Sequence, residues 1–325
     1  MKIAKQLKRA AIAMLWGVAV SAGGSSVASA AYPEREITLI VPFPAGGAVD
    51  QLARVFAAEV GEPFKGRVVV VNRPGASGVI GETAMARAEP DGYTILFHAA
   101  SVAVNAAIYE KPLYDPNELQ PVSVVMKLPF VIATNDQSGI KELNDVKPVA
   151  AKEPAGLTTA YAGITTRLAA ALYKIVSNDN LYMVPYNGGP AATLSLIRNE
   201  SKLYFADLTS LASYIASGQV RPLAVTSPQR SKSYPSIPTT KELGMAEYAP
   251  ETWFGVFTRR GTPPEILSTL NKAINDFARK PEVIEKIETM GGVPQYMSVA
   301  EFEAFYRDQR ALWKDVIKRA EIPLQ

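Results

Sequence analysis

The sequence predicts an α/β protein with mainly parallel sheet, and three observations predict it. Strand-like apolar runs alternate with helix-periodic ones along the chain, the pattern of successive βαβ units. The stretch Ile37–Asp50, ITLIVPFPAGGAVD, reads as a strand, a glycine turn and the start of a helix. The chain has 325 residues, more than one average core, which allows two lobes.

Local pattern justifies the elements in order. Ile37, Leu39, Ile40 and Val41 form an apolar run that breaks at Pro42–Gly47, and Leu52, Val55, Phe56 and Val60 then recur at helical spacing. Further strands are expected at 68–72, 94–97, 122–126, 130–134, 182–184, 203–206 and 222–226. Helices are expected at 49–60, 79–88, 166–176, 190–198, 208–217, 264–278, 281–290 and 299–320. Thr262 before Pro263-Pro264 reads as a helix cap, and Ser298 with Glu301 as a capping box. The stripe Phe302, Phe305, Leu312, Trp313, Val316 and Ile317 reads as a core face.

The first 30 residues have the physics of an export signal. Lys2, Lys5, Lys8 and Arg9 precede an apolar core, Ala10–Val20, that is too short to span a bilayer, and Ala28-Ser29-Ala30 suits signal peptidase. Cleavage is expected before Ala31, leaving the mature chain in the periplasm. The formal charge of +3 includes those four cations and no acid from the same segment; the remaining 30 cations against 31 acids give −1. Basic residues are scattered, so nothing marks a nucleic-acid surface.

Catalytic chemistry is poorly supplied. There is one histidine, His98, and no cysteine. Histidine–cysteine metal sites, disulfides and thiolate nucleophiles are thereby excluded, while an all-oxygen metal site is not. Neither a G-x-x-x-x-G-K-[ST] phosphate loop nor a G-x-S-x-G elbow occurs, and Gly75, Gly78 and Gly81 have the wrong spacing for a dinucleotide fingerprint. The glycine turn at Pro42–Gly47 suits an anion better, because a helix start offers unpaired N–H groups and a partial positive charge.

Taken together with VVVVNRPGASGVIG (68–81), EPDGYTILF (89–97), PVSVV (121–125), VPYNGGPAA (184–192), QVRPLAVTS (219–227) and WFGVFTRRGTP (253–263), that turn makes the chain resemble the Bug receptors. These are the periplasmic substrate-binding proteins of tripartite tricarboxylate transporters. The resemblance spans roughly Tyr32–Ile322 and is weakest at 145–182. It implies a two-lobed periplasmic binding protein of type II-like fold, with the ligand cleft between the lobes. Residues 31–128 and 254–325 would form lobe one and 129–253 lobe two, the chain crossing near Lys127–Phe130 and returning near Thr252–Phe257. It implies a monomer without a cofactor that takes a small organic carboxylate and engages membrane transporter subunits.

The resemblance also implies a site. Backbone N–H groups of the first turn, Phe43, Pro44, Ala45, Gly46, Gly47 and Ala48, would hold a carboxylate, with Gly46-Gly47 giving close approach and positive φ; Gly47 is the expected point of sensitivity. Asp50 is expected to orient this turn ahead of touching ligand. Val49 stands where many relatives carry a hydroxyl. His98 and Ser101 occupy the second wall, His98 as a donor to ligand or as a structural residue. In the second lobe Thr165 stands near an expected serine, and Arg167 replaces a histidine. A guanidinium there suits a second carboxylate, which would favour a dicarboxylate; a solvated arginine is the alternative. Tyr186 and Asn187 match a VPYKG-type turn, and Asp207 matches a cleft-facing aspartate. A sensory receptor of the same fold and an enzyme on a related scaffold are the competing classes.

Overall fold

The computed structural model describes residues 32–61 and 64–325; the predicted signal peptide lies outside them. Ten strands form one continuous sheet in the order β2-β1-β3-β9-β4-β7-β5-β6, with β10 and β8 also pairing on β4. The strands are β1 Ile37–Val41, β2 Val68–Asn72, β3 Thr94–Ala99, β4 Leu119–Thr134, β5 Leu157–Tyr161, β6 Leu181–Pro185, β7 Leu203–Asp207, β8 Arg221–Val225, β9 Glu251–Arg259 and β10 Val293–Pro294. The helices are α1 Ala48–Glu59, α2 Val79–Ala86, α3 Ser101–Ile108, α4 Val146–Ala150, α5 Ile164–Ser177, α6 Gly189–Ile197, α7 Leu208–Ala216, α8 Pro264–Ala278, α9 Pro281–Thr289 and α10 Val299–Arg319.

The sheet has two parallel portions, β2-β1-β3 and β7-β5-β6. Antiparallel β9 and β4 join them. Each parallel portion is covered on both faces, which is why β1 is apolar nearly throughout. Along β7 the alternation is plain: Leu203 and Phe205 pack with Leu168 and Tyr173 of α5, while Tyr204 and Ala206 pack with Leu196 of α6 and Leu211 of α7.

The long strand β4 corrects the sequence reading of two separate strands around Pro129. Pro129 stands opposite Glu251 where the ladder with β9 ends, and Phe130 opposite Asp207 where the ladder with β7 begins. A residue without an N–H fits at that change of partner. Five elements escaped the sequence reading, among them the two-residue β10 and the five-residue α4, which are too short to leave a periodic pattern. β5 is a short, threonine-rich segment, α3 (SVAVNAAI) has β-branched residues that favour a strand locally, and β9 has its helix-facing position taken by Gly255. The capping box of Ser298 and Glu301 forms as read, whereas Thr262 gives its hydroxyl to the Arg259 carbonyl and Pro263 takes the cap position.

An aromatic cluster fastens α10 to the two central strands. Trp253 meets Phe302 edge-on at 5.5 Å, and Phe257 lies 5.1 Å from Phe302. This approach needs Gly255, where a Cβ would stand 2.6 Å from Phe302 Cζ. Overpacking of this kind costs about 1–3 kcal/mol. Gly255→Ala should therefore lower the melting temperature by several degrees in calorimetry; an unchanged value would mean that α10 shifts at no cost.

The registers also decide where the two portions meet. β3 and β4 both run against β9, so they run the same way, and Ala99 at the end of β3 is level with Phe254, the partner of Met126. β7 runs against β4 and ends at Asp207, opposite Phe130. The carboxyl ends of both parallel portions thus face each other across Met126–Phe130, ~13 Å of extended chain at ~3.3 Å per residue. In open α/β sheets, ligands bind outside those ends.

Candidate ligand-binding site

Five strand-to-helix turns open toward this stretch, and each holds residues that the sequence singled out. The first joins β1 to α1. Pro44–Gly47 is exposed, Phe43 is half-buried and Asp50 is buried. Asp50 folds the turn from beneath: Oδ2 accepts from Gly46 N–H at 2.8 Å and from Arg54 Nε at 2.9 Å, and Oδ1 accepts from Asn72 Nδ2 at 2.8 Å. Asn72 also donates to the Phe43 carbonyl at 3.1 Å, and Gln51 to the Gly46 carbonyl at 2.9 Å. The Arg54 hydrogen bond, with those of Gly46 and Asn72 and against the cost of burial, holds the Asp50 carboxyl down at about 2.

This geometry revises two expectations. Gly46 N–H is committed to Asp50, so it is not a free donor. Glycine's freedom is required at Gly46, with φ +87°, and not at Gly47, whose φ is −74° and whose added Cβ would meet only the Pro44 carbonyl at 3.7 Å. Gly47 instead caps α1. The N–H groups of Ala48 and Val49 precede the first helical bond, Gln51 N to Gly47 O, and so have no acceptor within the helix.

The second turn leads from β3 into α3. His98 is fully buried; its Nδ1 lies 2.8 Å from the Ala99 carbonyl and its Nε2 lies 2.8 Å from Glu82 Oε1. The ring therefore sits one layer beneath the turn surface. Ser101 begins α3, and its hydroxyl is buried without a protein partner.

The other three turns belong to the second portion of the sheet. Gly163, with φ +104°, precedes α5. Thr166 Oγ1 accepts from Ala162 N–H at 2.8 Å, so Thr166, not singled out in the sequence, shapes this turn beside half-buried Thr165. The Arg167 guanidinium lies 5.6 Å above the Tyr161 ring, and no carboxylate among the described residues pairs with it. Arg167, Lys174, Tyr182 and Arg319 line a groove of about 640 Å³ between α5, β6 and the end of α10. Tyr186 places its hydroxyl 3.2 Å from Ser201 Oγ, and Asn187 is exposed. Asp207 caps α7, with Oδ1 accepting from Ser210 N–H at 2.8 Å.

The floor between these turns holds a pair that the sequence reading did not single out. Lys127 pairs with Glu251 and lies 4.3 Å from the Phe305 ring centre. Burial pushes the Glu251 carboxyl up, and Lys127 opposes that shift. Among the described residues no group of histidine, cysteine or carboxylate side chains is arranged to hold a metal ion. No helix there is long and apolar enough to cross a membrane.

A family model described as tripartite tricarboxylate transporter family receptor matches residues 52–322. The chain belongs to that family. Its members are solute-binding receptors and not enzymes, which answers the enzyme alternative. Protein BugT of Bordetella pertussis is 31% identical over 95% of this chain and 97% of its own length. A protein from the tcbD-tcbE intergenic region of a Pseudomonas species is 33% identical over 94% of this chain and 93% of its own. Among solved structures, the R. palustris protein Rpa4515 with adipate is 30% identical, covers 90% of this chain and 99% of its own, and superposes with a TM-score of 0.76. The fold is that of a two-lobed periplasmic binding protein, and the five turns lie at the junction of its lobes.

Proposed function

We propose that this receptor captures a small organic carboxylate in the periplasm by closing its lobes, and passes it to the membrane subunits of a tripartite transporter. The observation that carries the reading is the exposed Phe43–Ala48 turn, braced by Asp50 and opening on the free N–H groups of α1. The adipate held by the similar Rpa4515 structure supports the ligand class. Lobe one comprises residues 31–128 and 254–325 and lobe two 129–253, a division supported by the change of partner at Pro129. The chain acts as a monomer, with its signal peptide removed before Ala31; N-terminal sequencing of exported material tests that cleavage.

In this reading the N–H groups of Gly47 and Ala48 take one carboxylate, with Ala45 and the Phe43 ring beside it. The unpartnered Ser101 hydroxyl and Thr165 supply further polar contacts. Asp50, His98 and Tyr186 hold the turns in place, and Asp207 has one oxygen left to orient water. Contacts from both lobes favour the closed state, which is how binding becomes closure. A thermal-shift screen of mono-, di- and tricarboxylates tests the class, since a ligand that binds only the folded state raises the melting temperature. No shift with any of them would reject it.

Arg167, stacked on Tyr161 without a carboxylate partner, is assigned to the far carboxylate of a dicarboxylate. A charge-assisted bond of this kind contributes about 1.5–3 kcal/mol. Arg167→Ala should therefore weaken the best dicarboxylate of the screen tenfold or more, on the order of 1.4 kcal/mol, and leave a monocarboxylate of similar size nearly unaffected. Equal losses for the two ligands in calorimetric titration would return Arg167 to the solvated surface.

A further inference from the structure

Helix α5 begins at one of the ligand turns and ends at a second pocket. It is 14 residues long, so its ends lie ~21 Å apart at ~1.5 Å per residue. The pocket at its far end, about 550 Å³, is bordered by the last turn of α5, the start of α4 and the loop 244–247. Leu143, Val176 and Met245 give it apolar walls. Asp179 and Glu247 are its acids, and Lys147 stands on the exposed rim.

The two oxygens of Asp179 are unequally satisfied. The residue is 6% exposed. Oδ2 accepts from the Tyr173 hydroxyl at 3.2 Å, whereas Oδ1 is buried with no hydrogen-bond partner. Burial pushes the Tyr173 hydroxyl well above its ordinary range, so it remains a donor to Oδ2. Lys174, close in sequence, gives its ammonium to the Leu181 carbonyl at 3.3 Å instead. A carboxylate oxygen withdrawn from water with no donor in its place is costly, and a donor entering the pocket removes that cost. Tyr173 lines this pocket beside Asp179 and does not line the groove that holds Arg167, which places the carboxyl on the pocket side.

The end of the helix adds to the same field. Asn178, left-handed at φ +55°, donates to the Lys174 carbonyl. The carbonyls of Ile175, Val176 and Ser177 then have no donor within the helix, and a helix C-terminus favours positive charge. Among the described residues no carboxylate cluster is arranged to hold a metal ion, and the apolar walls suit a hydrocarbon chain better than a hydrated ion.

We propose that this pocket binds a small organic cation of the alkylammonium kind, its N–H groups meeting Asp179 Oδ1 and its chain lying against Leu143, Val176 and Met245. The broad terminal torsion of aspartate lets the covered oxygen turn toward the incoming donor. The site stands apart from the carboxylate cleft and does not depend on it.

The test titrates the ligand-free, ¹⁵N-labelled protein with n-butylammonium chloride, and with n-butanol as the uncharged analogue. The amide signals of Ser177, Asp179, Gly244 and Met245 should shift saturably with the ammonium, with a midpoint in the millimolar range that so small a ligand can reach. The alcohol should bind at least about tenfold more weakly, because only the ammonium makes a charge-assisted bond. Asp179→Asn keeps an acceptor for Tyr173 and removes the charge, so it should weaken the ammonium by about tenfold or more. Nα-acetyl-lysine methylamide separates the two sources of such a group. Affinity equal to that of n-butylammonium assigns the pocket to a lysine side chain of another protein, and lower affinity assigns it to a free amine. No saturable shift with the ammonium, an equal response to ammonium and alcohol, or undiminished affinity in Asp179→Asn would each overturn the proposal. The comparison of ammonium with alcohol uses the wild-type protein alone and decides the matter even where the variant does not fold. Failure to bind any carboxylate would reject the proposed function and leave this result standing.

Discussion

Asp50→Ala is expected to weaken carboxylate binding by on the order of a hundredfold, about 2.7 kcal/mol, and to lower stability as well. The side chain is buried, and both of its oxygens hold other parts of the turn: Gly46 N–H and Arg54 on one, Asn72 on the other. Removing it leaves three donors without their acceptor and frees the Phe43–Gly47 backbone, which the proposed site needs preformed. The stability part carries a pH signature. The folded-state carboxyl is depressed from 3.8 to about 2, so its contribution is complete above the unfolded value and is lost as pH falls toward about 2. The shift corresponds to roughly 2 kcal/mol. Urea denaturation of wild type and Asp50→Ala should differ by about that amount at pH 7 and converge near pH 2. Calorimetry with the best ligand of the carboxylate screen measures the affinity; an Asp50→Ala protein that is folded and binds normally would show that the turn holds itself.

Gly46→Val should cost at least tenfold in affinity, whereas Gly47→Ala should cost less than about threefold. Space does not separate the two positions. An added Cβ meets nothing within 4 Å at Gly46 and one carbonyl at 3.7 Å at Gly47. Backbone conformation separates them: φ is +87° at Gly46, where a β-branched residue is strained by about 1–3 kcal/mol, and −74° at Gly47, where any residue fits. The strain can be relieved only by reshaping the turn, which moves Gly46 N–H off Asp50. The comparison is direct, because both variants sit in one loop and are read in the same titration. A larger loss at Gly47 than at Gly46 would place the critical backbone contact at the helix cap.

Much of the site was legible because its signals are local. A strand, a glycine break and a helix-periodic run identify the first turn without any knowledge of the fold, and the expectation that Asp50 orients it is met by atoms within four residues. The network that completes it was not legible. Asn72 reaches Asp50 from 22 residues away, and nothing near Asn72 marks it as anything other than the end of a strand. Thr166 and Thr165 are equivalent on sequence; only the path of the backbone after Gly163 decides which hydroxyl meets the Ala162 amide. Likewise the single histidine offered two readings until the sheet turned its ring toward Glu82.

The sequence by itself determined the α/β class, most elements of the fold, the strand–glycine–helix turn at Pro42–Gly47 and the kind of receptor this is. Those rest on periodicity, on glycine and proline chemistry and on motifs whose residues are neighbours in the chain. Tertiary structure alone decided that 122–126 and 130–134 are one strand shared by both portions of the sheet, and that LTTAY and SVAVNAAI become a strand and a helix. It also decided that Gly46, not Gly47, carries the positive φ, and that His98 lies under the site with Glu82. Such outcomes depend on which segments pair across the sheet and which side chains are thereby denied water. A buried group must find its partner wherever the fold brings one, and that partner is usually distant in sequence.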